Sequence, residues 1–179
     1  MLLLDGIILG LIAGFATRGR LGNLAHAKLK GEFVILGVLL FQLSVPRFTV
    51  LLGLTGSLPL ILWLVSMATL VALALVNWRS AGMALAALGI LLNILAIGFN
   101  GAMPVSPEEI ARLYPGVTPR FDLLHEPVNE QTRLTGLTDV IAIPGPPWHK
   151  GIASLGDFFL TIGAGLYVFV GMHEESSDV

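Results

Sequence analysis

The chain has 179 residues, 55% of them hydrophobic and only 12% charged, with a mean hydropathy of +0.84; soluble domains run at about 25% charged. Water does not solvate a surface so poor in polar side chains, so the composition implies lipid as solvent and an all-α integral membrane protein. A net charge of −2 excludes an electrostatic footprint for nucleic acid. The absence of cysteine excludes disulfides, thiolate metal sites, a cysteine nucleophile and cysteine lipidation.

Residues 2–17 are the first apolar run, which at about 1.5 Å per residue barely crosses a hydrocarbon core about 30 Å thick. A signal peptide carries its cations before the apolar run and a small-residue cleavage site after it. Here Asp5 comes first, and Arg18, Arg20, Lys28 and Lys30 follow. The run therefore reads as a retained helix, with Gly6, Gly10 and Gly14 on one face where a neighbouring backbone can approach closely. A second run covers residues 33–45 and ends at Pro46-Arg47. The stretch to residue 56 either extends that helix around a proline kink or re-enters the membrane. Residues 58–76 form a third run, closed by Asn77-Trp78-Arg79, an interfacial tryptophan beside a cation. Residues 81–99 are a fourth and 152–172 a last, with Gly163 and Gly165 as further small residues. The expectation is a single membrane domain, residues 1–179, built as a bundle of about five transmembrane helices.

Between residues 100 and 150 the composition changes to prolines, acids and histidines, including Ile143-Pro144-Gly145-Pro146-Pro147-Trp148. A segment of this length usually carries structure of its own. Short helices or turns on the membrane surface are expected, with residues 140–143 as a strand or an interfacial segment. Residues 18–30 carry four cations and Arg79 adds a fifth on that side, whereas residues 100–150 spread four over a longer stretch against six acids. The cation-rich side reads as cytoplasmic. That places the long loop outside a bacterial cytoplasmic membrane and the acidic tail, residues 173–179, inside. A sixth full span would reverse this order.

Polar residues inside apolar runs are functional candidates in lipid. Asn93 and Asn100 lie seven residues apart on one face of the fourth run. Gln42 lies toward the outer end of the second. Asp157 opens the last run, with Ser154 three residues before it and Thr161 four after. The long loop adds His125, Glu126, Arg133, Asp139 and His149. Structural roles compete at each position. An intramembrane Asn or Gln often bonds a neighbouring helix, and Ser154-x-x-Asp157 reads as a capping box favoured by the helix dipole. Asp5 reads as a solvated N-terminal residue. His26, His149 and His173 lack metal-ligand spacing and suit the membrane interface. Arg18, His26, Lys28 and Lys30 read as topology determinants or as contacts to anionic headgroups. Neither a metal site nor a cofactor is expected.

Three patterns carry a resemblance: Arg18-Gly19-Arg20-Leu21-Gly22-Asn23-Leu24, Asn100-Gly101-Ala102-Met103-Pro104-Val105-Ser106, and Ser154-Leu155-Gly156-Asp157. Together they resemble a family of small multi-pass bacterial membrane proteins of unknown function. The last third also resembles lipoprotein signal peptidases, which place a second catalytic aspartate about eighteen residues after the first, at the outer start of the final helix. Asp139 precedes Asp157 by eighteen, with Trp148-His149 between them. Ser154 stands where those enzymes have Asn, and Gly156 where they have Ala. Their upstream Gly-Asn…Asp-Arg segment is missing here, the loop is far longer, and they have four spans with both termini inside. That resemblance implies a carboxylate dyad, in which two close acids share one proton. Asn100 or Ser154 would orient the backbone of a membrane-anchored peptide. The other reading is a bundle that binds or passes a lipid, quinone or small amphiphile, or serves in a homo- or hetero-oligomeric membrane complex. In that reading Asn93, Asn100, Ser154, His125, Arg133 and Gln42 line the binding pocket.

Overall fold

The computed structural model describes residues 2–27, 29–53 and 56–174. Lys28, residues 54–55 and the end of the acidic tail, residues 175–179, lie outside that description. Five long helices carry the fold: α1 (Leu2–Ala16), α3 (Glu32–Leu51), α4 (Leu58–Val76), α5 (Met83–Asn100) and α7 (Leu155–Gly171). A short α2 (Leu21–His26) follows α1, and α6 (Pro107–Leu113) lies in the long loop. Helix α3 runs through Pro46, with Leu52 N–H bonding to Phe48 O at 2.9 Å. Residues 48–51 thus extend the second helix, while residues 54–55 of the ambiguous stretch lie outside the described residues. The boundaries of α5 are set by Gly82 and Gly101, at φ 79° and 89°, a left-handed conformation that glycine adopts without a Cβ clash.

Helix α7 sits between α1 and α5. It runs parallel to α1, with Gly6 against Thr161 and Gly10 against Gly165, and antiparallel to α5, with Gly89 against Gly156 and Gly82 against Gly163. The glycine face read from the sequence in α1 is the surface that meets α7. Helix α4 packs on the other side of α5, and α3 packs on α4. Met67, Ile90, Ala96, Ile97 and Met103 make the buried core where α4, α5 and the loop meet, with Trp63 and Leu64 against it. Outside this core the surface is apolar: Leu9 is 63% exposed, Phe33 81% and Leu43 76%. By length and composition α4 and α5 are able to cross a membrane, while α1, α7 and residues 32–45 of α3 are apolar but shorter.

The all-α expectation needs one correction, because the long loop contains strands as well as helix. β1 (Met103–Val105) pairs in parallel with β2 (His125–Pro127). β3 (Ile141–Ile143) pairs antiparallel with β4 (Gly151–Ala153). The apolar run 140–143 is therefore largely strand, and Pro144–Lys150 forms the turn that brings the chain back to α7. The other three strands, each of three residues, carry too little alternation for the sequence to reveal them. Helix α6 opens on Ser106, whose Oγ accepts the Glu109 N–H at 3.2 Å, with Pro107 in its first turn. Tyr114 O–H donates to Lys150 O at 2.8 Å and Lys150 Nζ donates to Leu113 O at 2.7 Å, which ties α6 to the β3–β4 turn.

A Cβ on Gly10 would collide with the backbone of Gly165, whereas a Cβ on Gly37 meets nothing within 4 Å. Gly10→Ala should lower stability by about 1–3 kcal/mol. Gly37→Ala, in an open helical position, should raise it by about 0.4–1 kcal/mol. Thermal denaturation of the two purified variants checks the sign: equal shifts would mean that α1 does not pack on α7 through its glycines.

Candidate functional site

The start of α7 is held by a closed hydrogen-bonded ring. Asp157 N–H donates to Ser154 Oγ at 3.0 Å, and Ser154 O–H donates to Asn93 Oδ1 at 2.8 Å. Asn93 Nδ2 donates to Asp157 Oδ1 at 2.9 Å, and Ser154 N–H donates to Asp157 Oδ2 at 3.1 Å. Both structural roles considered for these residues are present, the capping box at Ser154 and Asp157 and the interhelical bond at Asn93. Ser154 is fully buried and Asn93 nearly so.

Asp139 reaches the same neighbourhood by a different route. Its N–H donates to Pro104 O at 2.9 Å and its C=O accepts from Ser106 N–H at 2.9 Å, so β1 holds its backbone opposite β2. Asp139 lies two residues before the start of β3, close enough to α7 for its carboxyl to feel the charge of Asp157. Asp139 Oδ1 is buried, and no described residue bonds to it. Burial pushes its carboxyl from the usual 3.8 up to about 7, and the charge of Asp157 adds to the rise.

A cavity of about 290 Å³ opens between the first turns of α1 and α7 and the β3–β4 hairpin. Leu2, Leu3, Ile143, Ile152 and Leu160 line it with apolar surface, and Asp5, His149, Asp157 and Thr161 add polar groups. His149 Nε2 lies 3.0 Å from Asp5 Oδ2 and bridges the hairpin turn to α1. Asp5 is thus a half-buried partner of His149, where the sequence suggested a solvated terminus. The signal for this pair was an acid inside an apolar helix and an imidazole eight residues before Asp157.

The remaining candidates lie apart from this cavity. Asn100 accepts Arg133 N–H at 2.8 Å through Oδ1 and donates to Arg133 O at 2.9 Å and Ala96 O at 2.7 Å. It clamps the loop backbone to the end of α5 and leaves the Arg133 side chain exposed. His125 pairs with Asp122 at 2.8 Å on the exposed side of β2. Gln42 donates to Ser66 Oγ at 2.9 Å between α3 and α4. It lies mid-helix because α3 extends to Leu51. Among the described residues no group of three or more His, Asp or Glu is placed to hold a metal ion.

The fold and the site together define a mostly helical, apolar-surfaced protein whose strand-bearing loop covers one end of a five-helix packing unit. The chain belongs to DUF5317, a family of unknown function whose model matches residues 26–169. That span includes the Asn100–Ser106 and Ser154–Asp157 patterns. No curated protein and no solved structure matches the chain.

The folded chain holds the Asp139 proton over a pH range in which the unfolded chain has released it. Its contribution to stability is therefore full below about pH 4 and is lost as pH rises through about 7. The unfolding free energy of the wild type, measured relative to Asp139→Asn, should fall between about pH 4 and about pH 7, by an amount on the order of a few kcal/mol at most. A pH-independent difference would show that the carboxyl titrates as an ordinary one.

Proposed function

We propose that the chain is an integral protein of the bacterial cytoplasmic membrane, spanning it with α1, α3, α4, α5 and α7. Residues 100–150 would lie outside and the C-terminus in the cytoplasm. The cavity beneath the loop would bind or pass a lipid or small amphiphile. Two facts support the membrane reading. The most apolar window of α4 is only 22% buried, and exposed leucine and phenylalanine side chains cover α1 and α3. Apolar area left open on this scale suits hydrocarbon and not water. The helix order also brings Arg18, Arg20, Lys30 and Arg79 to the end away from the loop, through Arg20 N–H to Met172 O and Lys30 N–H to Asn77 Oδ1. That distribution fits a cytoplasmic face.

The binding reading rests on one observation: the cavity is walled by leucine and isoleucine and carries the carboxylates of Asp5 and Asp157 and the imidazole of His149. A concave apolar site with a few convergent polar groups is the usual form of a small-molecule pocket.

Two measurements test the proposal. Single cysteines at Arg79 and Val117, introduced into this cysteine-free chain, should react from opposite sides of the membrane. An impermeant thiol reagent applied outside should label Val117→Cys and spare Arg79→Cys, and the reverse would overturn the orientation. A diazirine-bearing alkyl amphiphile, activated by light in membranes, should leave adducts on residues 2–5 and 152–161. Adducts confined to the open face of α3 would mean that the cavity takes no ligand.

A second reading, an aspartyl hydrolase acting on a membrane-anchored peptide, is favoured by the buried, unpartnered Oδ1 of Asp139 within the field of Asp157. Two acids so coupled share a proton and are suited to activating water. In that case Asp139→Asn and Asp157→Asn would each abolish peptide hydrolysis. Unchanged turnover in either folded variant would remove the reading.

A further inference from the structure

We infer that the β3–β4 hairpin is a proton-operated lid on the cavity: it stays seated while Asp139 and His149 hold their protons, and lifts from the heads of α1 and α7 as they release them. The inference goes beyond the binding reading, because it concerns access to the cavity whatever enters it. Ile143, His149, Gly151 and Ile152, from the hairpin and its turn, form one wall of that cavity. The hairpin has one fixed edge, where β4 runs directly into Ser154 and α7. Tyr114 and Lys150 tie its turn to α6, which is itself part of the loop. Its remaining polar attachments among the described residues involve a titratable residue at each end, His149 at the turn and Asp139 at the base.

At the turn, His149 Nε2 lies 3.0 Å from Asp5 Oδ2 on α1. Imidazole changes charge between about pH 5 and 8, and this contact is an ion pair only while the ring is protonated. At the base, Asp139 is clamped through its backbone to Pro104 and Ser106, and its buried Oδ1 has no partner among the described residues. A protonated carboxyl is tolerated in such a place, whereas an ionised one is a buried, unpaired charge that gains by reaching water. The charged residues on the elements around Asp139 are Asp157 on α7, His125 and Glu126 on β2, and Glu108, Glu109 and Arg112 on α6; β1, β3 and β4 carry none. Glu109 is paired with Arg112 and His125 with Asp122. Asp157 is the one whose charge acts on the Asp139 carboxyl, and it adds to the rise to about 7 that burial causes. Around His149 stand Asp5 and, across the cavity, Asp157, while Lys150 is turned to Leu113 O and the Tyr114 ring. Rising pH thus removes a positive charge at the turn and adds a negative one at the base. Both steps weaken the seat of the hairpin, so closing takes up protons, with the Asp139 step running from about pH 4 to about 7.

The test is hydrogen–deuterium exchange of the full chain in phosphatidylcholine nanodiscs, with no ligand added and with rates corrected for the intrinsic pH dependence of exchange. Protection of peptides covering residues 139–153 should fall by about tenfold or more between about pH 5 and 7, since one released proton permits up to about tenfold per pH unit. At each pH these peptides should exchange ahead of those from α5, as a local opening requires. Asp139→Asn cannot ionise and His149→Gln cannot take up a proton, so each should flatten part of the fall and the double variant should abolish it. Where Asp139→Asn does not fold, His149→Gln alone must reduce the fall. Protection that is flat with pH in the wild type, or a fall undiminished by His149→Gln, overturns the lid. Exchange of residues 139–153 in step with α5 overturns it as well, because the proton then governs the whole fold and not the hairpin. The amphiphile reading stands or falls separately, on the adducts at residues 2–5 and 152–161.

Discussion

The approach of the α7 backbone to α5 and α1 without intervening side chains sets the position of every polar group at the site. A Cβ on Gly156 would collide with the Asn93 amide and lie 2.6 Å from Gly89 O, and a Cβ on Gly163 would lie 2.6 Å from Gly82 O. Only glycine at these positions lets Asn93 reach the first turn of α7. Once there, its amide accepts from Ser154 and donates to Asp157, which closes the ring. Interhelical polar bonds average about 0.6 kcal/mol in membranes, so the ring adds less to stability than to register. A half-closed ring would be worse than none, because its buried donors and acceptors would lose partners together. Small residues, close helices and a fixed carboxylate are therefore one linked arrangement.

The loop is an extension of that arrangement. Asn100 continues the face of α5 that carries Asn93 and uses its amide as a substitute peptide for the Arg133 backbone. The clamp holds the loop over the helix ends, where Pro104 and Thr138 are fully buried. Asp139 follows Thr138 and is fixed by backbone bonds to Pro104 and Ser106 while its buried Oδ1 has no partner among the described residues. Two aspartates thus occupy one neighbourhood under opposite conditions. Asp157 has a partner at each oxygen, and Asp139 has burial and a like charge. The difference follows from the helix start, since the capping geometry that satisfies Asp157 has no counterpart at a strand edge.

Hydropathy made the five apolar helices legible, and the i, i+4 glycines marked the face of α1 that meets α7. Ser154-x-x-Asp157 disclosed the cap, and Asn93 disclosed an interhelical bond without its partner. The partner stayed hidden because the pairing of α5 with α7 is a long-range choice across the loop. The extent of α3 was ambiguous because a proline removes one backbone bond without forbidding the helix. Asn100, Arg133, His125 and Gln42 read as binding residues from polarity alone. Polarity does not distinguish a side chain facing a cavity from one tied to backbone, to an exposed acid or to a neighbouring helix. Asp5 and His149 were undervalued for the converse reason: separated by most of the chain, they meet only because the β3–β4 turn reaches back to α1.

The same geometry weighs the two functional readings against each other. A dyad needs both carboxyls to face one water beside the scissile bond. Asp157 faces the cavity, but Asp139 is not among its lining residues and is enclosed by β1 and the loop. Joining them would require the β3–β4 hairpin to shift, yet the hairpin is held at its turn by His149 to Asp5 and at its base by the Asp139 backbone. Binding makes no such demand. The carboxylates that line the cavity, Asp5 and Asp157, stand on α1 and α7, two helices in direct contact through their glycines. A site built on rigid elements around existing acceptors needs only a ligand with the complementary donors. Burial raises the Asp139 carboxyl to about 7, which lowers the negative charge it would otherwise hold near Asp157.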